Sequence, residues 1–357
     1  MIGRWQQARR ILLVRLDNAG DVVLLSPAVR ALAEALPGAR LTLLASPGGA
    51  PAAGLLPEVD EVIVHRAAWQ QLRPGVATAE GEATLIERLR GEAFDAALVF
   101  TSFSQTAYAA GYACFLAGVP LRAGFGQHFA GQVFTEQVPP PPDATHQADR
   151  NLRLVEALGV SVRDRSLRLA PSETARAEAA SVLAAAGIEA ARYVLIAPGA
   201  SAQARRYPRA AFAEVAREVH RITGLPVLVT GSEAERALVQ AVAAGSPGVG
   251  ALAGAVSVPG LAALVEQAAL VVANNSLAMH LAEGLGVPSV ITYAGTDPAE
   301  RWAPRRTPST LLSRPVPCAP CYAIVCPYDR ECLDVPPQEV VRAVRDVLGL
   351  AVAGGVR

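Results

Sequence analysis

The stretch "RILLVRLDNAGDVVLLSPAVRALA", residues 10–33, decides how the rest of the chain is read. Its apolar run, Ile11 to Val14, has the pattern of a strand buried on both faces, and the segment from Ser26 onward has the spacing of an amphipathic helix. The turn between them carries Asp17, Asn18 and Asp21 around a single glycine, Gly20. A dinucleotide fingerprint would place three glycines at such a turn, which weighs against a nicotinamide or flavin site. Polar side chains at the C-terminal end of a parallel strand face the crevice where ligands of doubly wound sheets bind. A carboxylate at this point is either a helix N-terminal acid favoured by the macrodipole or a general base for a hydroxyl.

The strand-to-helix rhythm continues through "RLTLLAS", "EVIVH", "TLIERLRG" and "DAALVF". Pro139 to Pro142 form a stiff stretch read as a surface loop, and Ser172 and Gly187 bracket a helix as its N-cap and its stop. The rhythm then restarts at "YVLIAPGA" and runs on through "PVLVTGS", "LVVANN" and "PSVITYAG". A chain of 357 residues exceeds what one core usually supports. We therefore expect an α/β protein of two Rossmann-like, doubly wound domains whose strand ends face a central cleft. The expected boundaries are 1–170, 171–335 and a C-terminal helix and tail, 336–357. The glycines of "GGAPAAG", residues 48–54, imitate a phosphate-binding loop but lack its lysine and hydroxyl residue.

Composition narrows the function. Hydrophobic residues make up 52% and charged residues 18%, which suits a packed globular protein. The net charge is zero, so nothing draws the whole molecule to nucleic acid. All 32 basic residues are arginine, so any cation that binds phosphate must be a guanidinium. The apolar runs are far shorter than a membrane span and the first residues lack a signal-peptide pattern, giving the expectation of a cytoplasmic monomer.

Two stretches of the second half carry candidate ligand chemistry. In "APGASAQARRYP", residues 197–208, small residues follow a strand and Arg205 and Arg206 precede a helix, a pattern suited to an anion. In "VVANNSLAMHLAEGLGVPSVITYAGTDP", residues 271–298, Asn275 or Ser276 can cap a helix whose N-terminus is an anion site. His280, one turn in, reads on its own as a core histidine. Cys318, Cys321, Cys326 and Cys332 lie within fifteen residues, a spacing that favours a structural zinc or iron over buried free thiols.

Together these motifs resemble glycosyltransferase family 9, the ADP-heptose heptosyltransferases and their relatives. The resemblance is carried by Gly20-Asp21 with Ser26-Pro27, by His146, Asp149 and Arg150, by Pro198 to Ser201 with Arg205 to Pro208, and by Asn275 to His280 and Ala294 to Pro298. It implies a GT-B fold, a donor held mainly by the second domain, an acceptor served by the first, and transfer with inversion. Asp21 would then be the base, with Asp17, Asn18 and Gly20 on the acceptor side. Arg205 would stand where the family has a lysine that neutralises the departing diphosphate. Ser201, Arg206, Thr296, Asp297 and His280 would contact the donor, Glu235 would hold the ribose, and Ser276 to Ala278 would offer backbone N–H groups to phosphate. The resemblance implies no cofactor for the chemistry, a glycan or glycolipid acceptor, peripheral contact with the inner membrane face, and relatives that hold iron through cysteines. Two departures stand out. Asn275 replaces a family aspartate, and Leu277-Ala278 replaces Gly-Pro, which admits a protein that binds a nucleotide sugar without turning it over. A sugar epimerase and an acceptor outside lipopolysaccharide also stay open.

Overall fold

The computed structural model describes residues 3–71, 75–103, 105–129, 131–188 and 192–350. Residues 351–357, the end of the expected C-terminal helix and tail, lie outside the described residues. The chain divides at Ala170 and Pro171 into two compact units.

In the first unit, strands β1 (Arg10–Arg15), β2 (Arg40–Ala45), β3 (Glu61–Val64), β4 (Ala96–Val99), β5 (Leu121–Phe125) and β6 (Glu136–Val138) form one parallel sheet in the order β3-β2-β1-β4-β5-β6. Its helices are α1 (Ala19–Val23), α2 (Ser26–Ala35), α3 (Ala79–Gly91), α4 (Tyr108–Leu116) and α5 (Gln147–Ala157). Pro27 sits in the first turn of α2, where its missing N–H has no helical partner to lose. One face of the sheet buries Leu12, Val14, Leu44 and Val99 against Leu85 and Leu89 of α3 and Cys114 of α4. Burial pushes the Cys114 thiol up to about 12, so this cysteine is inert packing.

The second unit opens with α6 (Glu173–Ala185), capped by Ser172 Oγ accepting from Ala175 N and followed by Gly187 at φ +67°. Strands β7 (Val194–Ala197), β8 (Val227–Gly231), β9 (Val249–Ala253), β10 (Leu270–Asn274), β11 (Ser289–Thr292) and β12 (Ser309–Leu312) follow, with order β12-β11-β10-β7-β8-β9 and every pair parallel. Helices α7 (Arg209–Thr223), α8 (Arg236–Ala243), α9 (Val258–Gln267), α10 (Leu277–Leu285) and α11 (Pro337–Val347) cover it. Ile196, Val229 and Val272 pack with Phe212 and Val215 of α7 and with Val340 and Val344 of α11. Counted from its own first strand, this sheet repeats the order of the other, so each unit has a switch point between its first and fourth strands, where ligands of such folds bind.

Two packing details lead to measurable consequences. Gly124 on β5 leaves room for the Phe134 ring, since a Cβ there would stand 2.6 Å from two ring carbons. His280 on α10 is buried, its Nδ1 has no hydrogen-bond partner among the described residues, and burial first and Arg205 second hold its pKa down at about 4. Gly124→Ala should cost about 1–3 kcal/mol in urea unfolding, the usual cost of overpacking. For His280 the folded pKa lies below the unfolded one, so the unfolded chain binds the extra proton and stability falls as the pH drops from about 6.5 to about 4. The depression corresponds to about 3 kcal/mol, and comparing His280→Gln with the parent at pH 7 and pH 4 should show that much less acid sensitivity in the variant.

Candidate active site

At the switch point of the first unit, β1 ends on Arg15, whose side chain is wholly buried. A guanidinium out of water needs anionic partners, and the following turn supplies two. Arg15 Nη2 donates to Asp21 Oδ1 at 2.8 Å and to Ser102 Oγ at 2.7 Å, and Arg15 Nε stands 3.1 Å from Asp17 Oδ2. Ser102 Oγ also donates to Asp21 Oδ1 at 3.3 Å, and Gln105 Nε2 donates to Asp17 Oδ1 at 2.6 Å. Burial, opposed by Arg15 and reinforced by Asp21, raises the pKa of Asp17.

The sequence reading makes Asp21 either a helix N-terminal acid or a base, and names no counterion for it. In the structure Asp21 is ion-paired to Arg15 through Oδ1, while Oδ2 accepts one 3.3 Å bond from Asn18 N. The Asp21 side chain stays 16% exposed, so it is anchored without being sealed off. Gly20 is a helical residue of α1 and has no left-handed φ. The glycine that matters to this turn is Gly49, in the segment set aside as a failed phosphate loop. Its Cβ would stand 2.7 Å from Asp17 O, and the neighbouring Ser46 Oγ donates to that same carbonyl at 2.5 Å.

The second unit assembles its polar groups around Asn274, fully buried at the end of β10. Asn274 Nδ2 donates to Pro198 O at 2.7 Å, and its Oδ1 accepts from Tyr207 N at 2.9 Å and Thr292 Oγ1 at 3.0 Å. This one amide ties the loop after β7 to the ends of β10 and β11, and thereby fixes the arginine pair. Arg205 Nη2 donates to Asp297 Oδ2 at 2.6 Å and Arg205 Nε to Thr296 Oγ1 at 3.1 Å, while Thr296 Oγ1 donates to Asp297 Oδ2 at 2.8 Å. Arg206 Nε donates to Ala200 O, and its Nη2 lies 4.0 Å from Glu235 Oε1. Glu235 Oε2 accepts from Ser232 N and Ser232 Oγ, and Ser201 is exposed on the loop between.

The expected cap of α10 takes a different form. Ser276 is the N-cap residue but makes no side-chain capping bond, and Asn275 Oδ1 accepts from Ala294 N of the next loop. The backbone N–H groups at the start of this nine-residue helix therefore have no side-chain cap among the described residues, the arrangement that suits an anion. Leu277 and Ala278 adopt no left-handed φ, so replacing the family's Gly-Pro creates no backbone strain. His280, buried and neutral, lies close enough to Arg205 for that cation to depress its pKa.

The metal expectation finds no support among the described residues. Cys318, Cys321, Cys326 and Cys332 are free thiols, and among the described residues no three His, Cys, Asp or Glu side chains converge as a metal site. Burial and the three neighbouring cysteines raise the pKa of Cys332, so the thiols are neighbours without ligand geometry. Their segment does work through its backbone. Cys321 N donates to Gly295 O, Tyr322 N to Thr296 O, Ala204 N to Ile324 O, and Arg330 Nη1 to Arg206 O. The loop between β12 and α11 thus brackets both the arginine pair and the Thr296-Asp297 turn, a contribution that no side-chain motif announces.

Comparison with known proteins places this geometry. The chain is 25% identical over 350 residues to lipopolysaccharide heptosyltransferase 1 of Pseudomonas aeruginosa, covering 91% of each protein. Among solved structures, a family 9 glycosyltransferase from Veillonella parvula superposes with a TM-score of 0.79 at 20% identity, covering 96% of this chain and 98% of the other. The Escherichia coli ADP-heptose heptosyltransferase II gives a TM-score of 0.75 at 20% identity, covering 95% and 98%. These likenesses establish the GT-B fold. Residues 83–331, well over half of the chain, match the family model described as glycosyltransferase family 9 (heptosyltransferase), and the chain belongs to that family.

Proposed function

We propose that the protein is an inverting glycosyltransferase that moves a heptose-like sugar from an ADP-sugar to a hydroxyl of a lipopolysaccharide-core or related glycan. Family membership and the lipopolysaccharide heptosyltransferase relative support the reaction class. The observation that carries the reading is the Asp21 carboxylate, fixed at Oδ1 by Arg15 and Ser102 and still 16% exposed in the first turn of α1. Residues 1–170 serve the acceptor and 171–335 the donor in this reading, and a glycolipid acceptor calls for peripheral contact with a membrane face. No described helix is long and apolar enough to cross one.

In the reaction, the acceptor hydroxyl gives its proton to Asp21 as its oxygen bonds the anomeric carbon from the face opposite the diphosphate. The anomeric C–O bond to the diphosphate breaks, and its electron pair leaves with ADP. A single displacement inverts the centre. Arg205 and Arg206 neutralise the growing charge, and the N–H groups of Ser276 to Ala278 add fixed dipoles. Asp297 and Thr296 hold the Arg205 fork, since a planar guanidinium must be aimed where a lysine need only be near. Glu235 takes the ribose, while Ser201, Asn275 and His280 line the donor pocket. Asn275 in place of the family's aspartate favours a second reading, a protein that binds the nucleotide sugar without transferring it.

Asp21→Asn should lower ADP release from ADP-heptose, in the presence of a heptose-free inner-core glycolipid, by about 10²–10⁴-fold while ADP still raises the melting temperature. Unchanged turnover would remove Asp21 from its role, and parent protein that binds ADP-heptose with no ADP release would favour the binding-only reading. Arg205→Gln should weaken ADP binding in calorimetry by roughly 10- to 100-fold, the loss of one charge-assisted contact.

A further inference from the structure

Removing one proton from an acceptor needs one carboxylate, yet the first unit places two on a single buried guanidinium. Arg15 gives its Nη2 to Asp21 and Ser102. Its Nε faces Asp17 Oδ2 at 3.1 Å without an aligned hydrogen bond, and its Nη1 has no hydrogen-bond partner among the described residues. Asp17 is braced from the far side by Gln105, whose Oε1 accepts from Ser102 N at 2.9 Å. Gln105 and Ser102 therefore couple the two acids through neutral groups as well as through the cation. Among the described residues the other elements add no charge at this point. The loop after β2 presents Ser46, Gly48 and Gly49, and residues 50–55, packed against α1, are uncharged. Another cation of this unit, Arg150, is spent on Thr101 O and the Phe125 ring.

With both acids ionised, the three side chains carry one net negative charge, and the repulsion between the two acids offsets part of what the shared cation gives each of them. We propose that Arg15 and Asp17 are positioning residues that set the proton affinity of Asp21: Arg15 holds it ionised and aimed, and Asp17 competes for Arg15 so that Asp21 can still accept a proton. The proposal rests on the transferase reading of Asp21. During transfer the acceptor O–H bond breaks toward Asp21, the new O–C bond forms and the diphosphate leaves with its electron pair, bringing the three side chains to neutrality. Arg15 then serves Asp17 alone, and Asp21 returns its proton to solvent across its exposed edge.

The test joins a titration without substrate to a kinetic profile. Carboxyl-¹³C aspartate NMR of the full chain, with the Asp21 signal assigned by its loss in Asp21→Asn, gives the Asp21 midpoint. The acid limb of kcat/KM, from ADP release with ADP-heptose and a heptose-free inner-core glycolipid, reports the same group in the free enzyme. Arg15→Met should move both upward by about one pH unit or more, and Arg15→Lys should return them toward the parent. Asp17→Asn should move both downward, and because Asp17 is not wholly buried this variant carries the test should Arg15→Met fail to fold. Coincident midpoints in parent and Asp17→Asn, or a titration shift with an unmoved acid limb, would overturn the proposal. Parent protein that releases no ADP defeats the transferase reading itself, and the titration then decides by itself whether Arg15 and Asp17 control Asp21.

Discussion

A guanidinium with no exposed surface dictates the chemistry of the first unit. Arg15 occupies the last position of a strand whose interior is Ile, Leu and Val, where an uncompensated charge would cost several kcal/mol. Water cannot reach it, so the turn that follows must bring acids back to it, and that requirement fixes the path of Asp17, Asn18 and Asp21. The same requirement draws the loop after β4 inward, since Ser102 and Gln105 complete the hydrogen bonding. What looks like a site decorated with polar residues is a neutralisation problem solved with a carboxylate left partly in solvent.

The second unit meets the equivalent position with a neutral group. Asn274 donates and accepts with no charge to compensate, so burial costs little once its bonds are made. Its role is to hold backbone: it locks Pro198 and Tyr207, and between them lie Arg205 and Arg206, both partly exposed. At this end of the sheet the charges, Arg205 and Asp297, remain partly exposed, while the buried polar group at the end of β10 is neutral. One sheet order therefore supports two electrostatic styles, a buried cation paired with acids in one unit and a neutral buried amide in the other.

Much of the fold could be read from the chain because its central strands are continuous apolar runs, the signature of a parallel sheet covered on both faces. Other strands, β5, β9 and β12 among them, were illegible for physical reasons. β5 carries Arg122 and Gly124 where an apolar run would be expected, and the arginine is accommodated by the carbonyls of Gln132 and Val133. β9 is built of glycine and alanine around one valine and one leucine, and β12 is half-buried along its length. At the site, acids and arginines announced themselves by type and position, whereas Arg15 and Asn274 passed as strand ends. Arg15 had left a signal, since a single charged residue closing an apolar strand must find a counterion close in sequence. The cysteines mislead in the opposite way. Their spacing fits a ligand set, but spacing says nothing about where a loop's thiols point, and this loop uses its backbone instead. The helix cap misleads likewise, because Asn275 spends its carbonyl on the following loop rather than on its own helix.

The hydrogen-bonded pairing of each sheet closes within its own unit. The first sheet needs nothing beyond Val138 and the second begins only at Val194. During synthesis from the N-terminus, the first unit can complete its strand ladder while the second is still being made, with no edge held open for a partner that has yet to emerge. Two halves of identical strand order within one polypeptide also invite mispairing, and this temporal separation is a safeguard that a sheet shared between them could not provide.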